Sequence, residues 1–164
     1  MQPIRNKNNL YIGTLSGTSM DSIDASLLKI TNDIKILNSY SVKMPKALLD
    51  RMMKLSRTKK NLFLHPTKEL KEADNQFTLE TVNVVKKLLK KSKLRNSDIQ
   101  AIGSHGQTIQ HRPFSKKPYS LQIGNPKIIS DLTGIKTISN FRQTNIMNGG
   151  SGAPLTPSFH NFFL

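Results

Sequence analysis

The 164-residue sequence has no cysteine and no tryptophan, and only 10 acidic residues stand against 25 lysines and arginines. Without cysteine there is neither a disulfide framework nor a thiolate metal site. No apolar stretch approaches the roughly 20 residues that a bilayer-spanning helix needs. The start is short and polar, with no apolar segment after Arg5 and Lys7 of the kind a secretory signal carries. The expectation is a soluble, cytoplasmic chain with no membrane partner, made of a disordered tail over residues 1–9 and one domain over 10–164.

The shortage of acid leaves a net charge of +15. Such a charge suggests nucleic acid, because clustered lysine and arginine gain affinity by releasing phosphate counterions. Here the lysines are spread along most of the chain, and no aromatic residues interleave with the basic runs as stacking platforms. No specific nucleic-acid partner is expected, and the lysine-rich run at 86–93 reads as the solvated face of a helix.

What the chain does contain is periodic. Apolar runs predict strands at 10–15, 24–30 and 35–42. Leu48, Leu49, Met52, Met53 and Leu55 recur at helical spacing behind Pro45, predicting a helix over 45–56. Leu70, Ala73, Phe77, Val84 and Leu88 form one stripe, predicting a longer helix over 67–92. A strand at 100–104 runs into the polar turn Gly103-Ser104-His105-Gly106-Gln107-Thr108, and ends of strands are where α/β folds gather their sites. Asn125-Pro126 reads as an N-cap with proline in the first turn, Gly134 as the stop, and 135–139 as a strand. Residues 157–164 read as the start of another helix. The order implies an α/β fold, a mixed β-sheet with flanking helices.

Between the first two strands, Gly13-Thr14-Leu15-Ser16-Gly17-Thr18-Ser19-Met20-Asp21 places two glycines, four hydroxyls and a carboxylate in one short connection. Glycine lets backbone N–H groups face an anion, hydroxyls donate to phosphate oxygens, and a carboxylate can hold Mg²⁺ directly or through water. It is not a Walker A loop, since no lysine follows the second glycine, nor a dinucleotide turn, since a strand follows. The residue types alone leave a phosphate loop and a plain hairpin both open.

Extended through Ser22-Ile23-Asp24-Ala25, this segment resembles the signature of the anhydro-N-acetylmuramic acid kinase family, one of the actin-like and hexokinase-like sugar kinases. Three further segments resemble the same family in the same order. They are Ile102 to Thr108 continuing through His111-Arg112-Pro113, then Leu121-Gln122-Ile123-Gly124, and finally Phe141-Arg142 with Gly149-Gly150-Ser151-Gly152-Ala153-Pro154-Leu155.

The resemblance runs from about Tyr11 to His160 and implies a ribonuclease H-like ATPase lobe of the actin/hexokinase type, truncated relative to the family. It implies ATP-dependent opening of a 1,6-anhydro ring with phosphorylation of O6, giving N-acetylmuramic acid 6-phosphate in peptidoglycan recycling, with ATP, Mg²⁺ and an amino sugar as ligands. It also implies that the family's second phosphate loop, catalytic Asp and adenosine site lie beyond Leu164, so no catalytic residue is expected within the chain. Two alternatives follow: one half of a split enzyme, completed by a complementary C-terminal chain, or a truncated non-catalytic remnant. Family members often pair, so a homodimer is a further expectation.

Carried over by position, Gly17, Thr18, Ser19, Met20, Asp21, Ser22, Ile23 and Asp24 would form the ATP loop, with Asp21 at the metal. Thr14, His105, Gln107 and Arg142 would face the sugar. His105 either donates to a hydroxyl or braces its loop. Arg142 either pairs with the lactyl carboxylate, for which a planar guanidinium is well shaped, or is a surface arginine. His111 and His160 lack partners at metal-ligand spacing, and His65 reads as surface. The family usually carries Asp where this chain has Asn125, Asn140 and Asn145, Gln where it has Ser151, and Gly where it has Ser22. Asparagine cannot act as a general base and is a poorer Mg²⁺ ligand, but it caps turns as well as aspartate does.

Overall fold

Alternating apolar side chains build three successive antiparallel strands, β1 (Leu10–Leu15), β2 (Ser22–Ile30) and β3 (Ile34–Lys43). The structure, a computed structural model, describes residues 9–157. Residues 1–8 of the tail expected at 1–9, residues 158–164 of the helix start expected at 157–164, and His160 lie outside the described residues. After β3 come helices α1 (Lys46–Arg57) and α2 (Lys68–Lys91), and the chain returns as β4 (Ala101–Ser104), parallel to β1 on its free side. Next are a hairpin of β5 (Gln107–Arg112) and β6 (Tyr119–Ile123), helix α3 (Pro126–Thr133), β7 (Thr137–Ile138) parallel to β4, and α4 (Phe141–Met147). The main sheet runs β3-β2-β1-β4-β7. This is the mixed sheet with flanking helices that the order of elements implies.

The core forms where α2 covers one face of the sheet. Leu70, Ala73, Phe77, Val84 and Leu88 are all buried, against Leu10, Ile12, Ile23, Ala25, Leu27 and Ile102. Thr67 caps α2, its hydroxyl oxygen accepting the Leu70 amide at 3.2 Å. α1 adds Leu48, Met52 and Leu55 to the core, while Met53 stays exposed.

Three features depart from the sequence reading. The segment at 103–108 is not one polar turn, because β5 already begins at Gln107. Gly106 turns the chain at φ +71°, and a side chain there would run into the carbonyl of Ile123. The new hairpin is polar in sequence yet buried, because Gln110 is fully bonded. It accepts from the Leu62 amide and the Tyr119 hydroxyl and donates to the carbonyls of Thr58 and Lys60. Second, β2 starts at Ser22 rather than Asp24. Third, β7 is only two residues long, since β4 offers it partners only at Ile102 and Gly103, and the chain then turns into α4.

This topology sets adjacent strand ends side by side. Thr14 and Ser104 are register partners at the C-terminal ends of the parallel pair β1 and β4, and the His105 amide donates to the Thr14 carbonyl at 3.0 Å. The loops leaving both strands therefore open on the same edge.

Candidate functional site

The connection from β1 to β2 closes on itself. The buried Ser16 hydroxyl donates to the Ser22 carbonyl at 2.7 Å, and the Met20 amide donates to the Gly17 carbonyl at 3.1 Å. Met20 takes a left-handed conformation at φ 58° and buries its side chain, which pins the turn to the core. The segment between these anchors is exposed, and the backbone N–H groups of Gly17, Thr18 and Ser19 have no acceptor among the described residues. Three consecutive backbone donors without an acceptor, beside hydroxyl side chains, are groups of the kind from which anion sites are built.

Of the residues assigned to the ATP loop, Gly17 to Asp21 lie in this turn, whereas Ser22, Ile23 and Asp24 lie in β2. Ile23 is buried in the core and offers only its backbone. Asp21 is exposed, and Ser19 donates to its carboxylate at 2.6 Å, holding the carboxyl below its ordinary pKa. An ionised, exposed carboxylate beside free amides fits Mg²⁺ that arrives with a phosphate ligand. Among the described residues no cluster of three or more His, Cys, Asp or Glu could hold a metal without such help.

Across from the turn, a cleft of about 280 Å³ is lined by Ser16, Gly17, Thr18, His105, Gln107 and Arg142, with Leu15, Met20 and Thr108 completing its wall. Arg142, near the start of α4, donates from Nε to His105 Nε2 at 2.8 Å and from Nη1 to the Gly152 carbonyl at 2.8 Å. Accepting at Nε2 leaves the proton of neutral His105 on Nδ1, which stands 3.0 Å from the Gly106 carbonyl and donates to it. Burial pushes the His105 pKa down, its bond to Gly106 opposes that, and the Arg142 charge lowers it further. Burial also lowers the Arg142 pKa.

Of the four residues assigned to the sugar, His105, Gln107 and Arg142 line the cleft and Thr14 does not. Thr14 is buried, and its Oγ1 has no partner, as is also true of Ser104 Oγ and Gln107 Oε1. Three unpartnered buried polar atoms, two at the adjoining ends of β1 and β4 and one at the start of β5, are unusual, since such groups are almost always satisfied. Sequence reasoning missed Ser16 and Thr108 in the wall, although both are hydroxyl residues inside the quoted motifs. It also missed the Gly152 carbonyl, which only the fold brings to Arg142.

The asparagines take structural roles. Asn125 caps α3, its Oδ1 accepting from Lys127 and Ile128 amides at 3.0 and 3.3 Å. Asn145 Oδ1 accepts the Gly152 amide at 2.7 Å and so shapes the glycine-rich loop. Asn140 adopts a left-handed conformation at φ 62°, which asparagine tolerates better than most residues. Ser151 donates to the Ala153 carbonyl at 2.6 Å within that loop. His111 joins a polar network of the hairpin. Gln122 donates to Ser120 Oγ at 2.6 Å, and Ser120 lies 3.0 Å from His111 Nδ1.

Comparison with known proteins gives a consistent result. A family model described as anhydro-N-acetylmuramic acid kinase matches residues 9–164. The chain is 42% identical over 154 residues to an anhydro-N-acetylmuramic acid kinase of Coxiella burnetii (strain RSA 493 / Nine Mile phase I), covering 94% of this chain and 40% of that protein. It is 39% identical to one from Shewanella pealeana, with 93% and 41% covered, and 38% identical to one from Vibrio parahaemolyticus, with 93% and 40% covered. The chain thus spans about two fifths of the length of the curated relatives it matches.

Proposed function

Because the chain belongs to the anhydro-N-acetylmuramic acid kinase family, we propose that it forms the half of a sugar kinase that receives the phosphates of ATP and one side of 1,6-anhydro-N-acetylmuramic acid. The activity proposed for the complete site is opening of the anhydro ring with phosphorylation of O6, a step of peptidoglycan recycling carried out in the cytoplasm. The observation that carries this reading is that Gly17 and Thr18 of the exposed turn line one cleft together with the bonded pair His105 and Arg142.

Within that reading, the free amides of Gly17, Thr18 and Ser19 receive phosphate oxygens, and Asp21 faces the accompanying Mg²⁺ or its water shell. An Mg²⁺ held there would supply charge neutralisation for the phosphates. Arg142 supplies the cationic donor for the lactyl carboxylate, and Gln107 forms part of the wall beside it. The described cleft carries no carboxylate among its lining residues that could take a proton from water. The general base and the second phosphate contact are assigned to a complementary C-terminal segment, as the family resemblance implies. Phosphoryl transfer depends on positioning, so the half-site alone is expected to bind and not to turn over.

A coupled ADP-release assay with 1,6-anhydro-N-acetylmuramic acid tests this, on the chain alone and then mixed with the C-terminal three fifths of a relative. The expected result is sugar and Mg-ATP binding by calorimetry without turnover by the chain, and turnover by the mixture. Turnover by the isolated chain would overturn the division of roles. Absence of binding to either ligand would overturn the reading itself.

A further inference from the structure

The residue that orients Arg142 is His105. From the geometry we propose that His105 is a positioning residue rather than a sugar ligand. As the neutral Nδ1–H tautomer it accepts Arg142 Nε–H, and with the Gly152 carbonyl it fixes the guanidinium so that Nη2 is the donor offered to a carboxylate in the cleft. This rests on the reading of the cleft as the sugar site and names the group that sets its preference for an acidic sugar.

Five connected bonds hold this arrangement. The His105 amide is tied to the Thr14 carbonyl at 3.0 Å, so its backbone moves with β1 and β4. Its ring is held on one side by the Gly106 carbonyl at 3.0 Å and on the other by Arg142 Nε at 2.8 Å. Arg142 Nη1 reaches the Gly152 carbonyl at 2.8 Å, and Gly152 is itself held by Asn145 Oδ1 at 2.7 Å. With Nε and Nη1 anchored, Nη2 has no partner among the described residues, and the residue lines the cleft. A planar guanidinium fixed at two of its nitrogens loses little further freedom on binding, which favours recognition of a carboxylate.

The arrangement requires a neutral imidazole. A protonated ring would point an N–H from Nε2 at the N–H of Arg142, and no acceptor would remain for that nitrogen. The Arg142 charge on α4 and burial both favour the neutral ring, whereas the Gly106 bond works against them. His111 of β5 also lies within the field of Arg142 and of Arg112, and burial lowers its pKa as well, so neutral His111 adds no charge there at neutral pH.

The test uses the full 164-residue chain labelled with ¹⁵N on histidine and arginine, the His105 signals being assigned by their loss in His105→Gln. Neutral His105 with the proton on Nδ1, and an Arg142 Nε–H that exchanges slowly at neutral pH and quickly once His105 titrates, is the expected result. In parallel, affinities for 1,6-anhydro-N-acetylmuramic acid and for 1,6-anhydro-N-acetylglucosamine, which lacks the lactyl group, give a preference ratio. His105→Leu should cut that ratio by about tenfold, while His105→Gln, whose amide oxygen replaces Nε2 as acceptor, should keep it within about threefold. A proton on Nε2 at neutral pH, or a His105→Leu chain that folds and keeps its preference, overturns the proposal. Should neither sugar bind, the sugar reading of the cleft fails, and the tautomer and exchange measurements still decide the positioning role. Should His105→Leu not fold, His105→Gln and the pH dependence of the native chain decide it.

Discussion

Thr78 on α2 and Asn125 at the head of α3 are joined by one bond, the Asn125 amide donating to Thr78 Oγ1 at 2.9 Å, while that hydroxyl donates to the Asp74 carbonyl at 2.6 Å. Beside it, Asp74 Oδ1 accepts the Gly124 amide at 2.7 Å. The long helix thus holds the backbone between the hairpin and α3, and through the hairpin it holds one wall of the cleft. Thr78 is fully buried, so Thr78→Val keeps the shape and strands the Asn125 amide without an acceptor. The expected loss is about 1–3 kcal/mol, read as a lower urea midpoint at unchanged slope. Thr78→Ser should recover most of it, and an unchanged midpoint in the valine variant would show that the bond contributes nothing.

Gly106→Ala should be costly. A residue with a side chain is strained at φ +71°, and its Cβ would meet the Ile123 carbonyl, which belongs to the rigid β6. The strain alone is worth about 1–2 kcal/mol, and the backbone contact adds to it. The thermal midpoint should drop, and ¹⁵N–¹H shifts should change through β5 and β6 while those of α1 hold. A variant as stable as the native chain would mean that the hairpin can shift to make room.

Much of the fold was legible in the sequence because α1, α2 and the first three strands carry strong periods. The α2 stripe from Leu70 to Leu88 is buried as its spacing implied. The hairpin was not legible, because Gln110 and Ser120 are buried polar residues whose satisfaction depends on partners as distant as Leu62 and Gln143. At the site, motif order brought Gly17, His105 and Arg142 to notice from widely separated places. That Arg142 meets His105 Nε2 rather than open solvent needed the fold, since no local rule relates residues 37 positions apart.

Asn125→Ala and Asn125→Asp separate a capping role from a charge role. Alanine removes the acceptor for the Lys127 and Ile128 amides and should cost about 1 kcal/mol. Aspartate retains the acceptor and places negative charge at a helix N-terminus, so stability should stay level or rise by a few tenths of a kcal/mol. Chemical denaturation of the three chains checks this, and a destabilising aspartate would show that the neutral amide is required there.

Ser19→Ala should raise the pKa of Asp21 toward that of an ordinary aspartate, since the Ser19 hydroxyl is the largest cause of its depression. Carboxyl ¹³C titration of Asp21 in both chains reads the shift directly. Asp21→Asn should in turn weaken Mg²⁺-dependent ATP binding by about tenfold, with little change in binding of ATP without the metal. Equal affinities with and without Mg²⁺ in the native chain would remove Asp21 from the metal role.

The His105 environment makes a signed prediction for stability against pH. Folding lowers the pKa of His105 below its ordinary value of about 6.5. Between the folded and unfolded pKa values the unfolded chain binds more protons, so stability rises with pH across that window. The contribution of neutral His105 is therefore fully present above about pH 6.5 and is lost as pH falls through the folded-state value. His111 is shifted in the same sense, so the native chain alone cannot isolate one ring. Replacing the ring by an amide that does not titrate can isolate it. The stability difference between the native chain and His105→Gln should be constant above pH 6.5, shift in favour of His105→Gln as the medium is acidified, and level off once His105 is protonated in both states. A difference that stays flat from pH 7.5 to pH 4.5 would mean that His105 titrates alike folded and unfolded, and that its bond from Arg142 does not depend on a neutral ring.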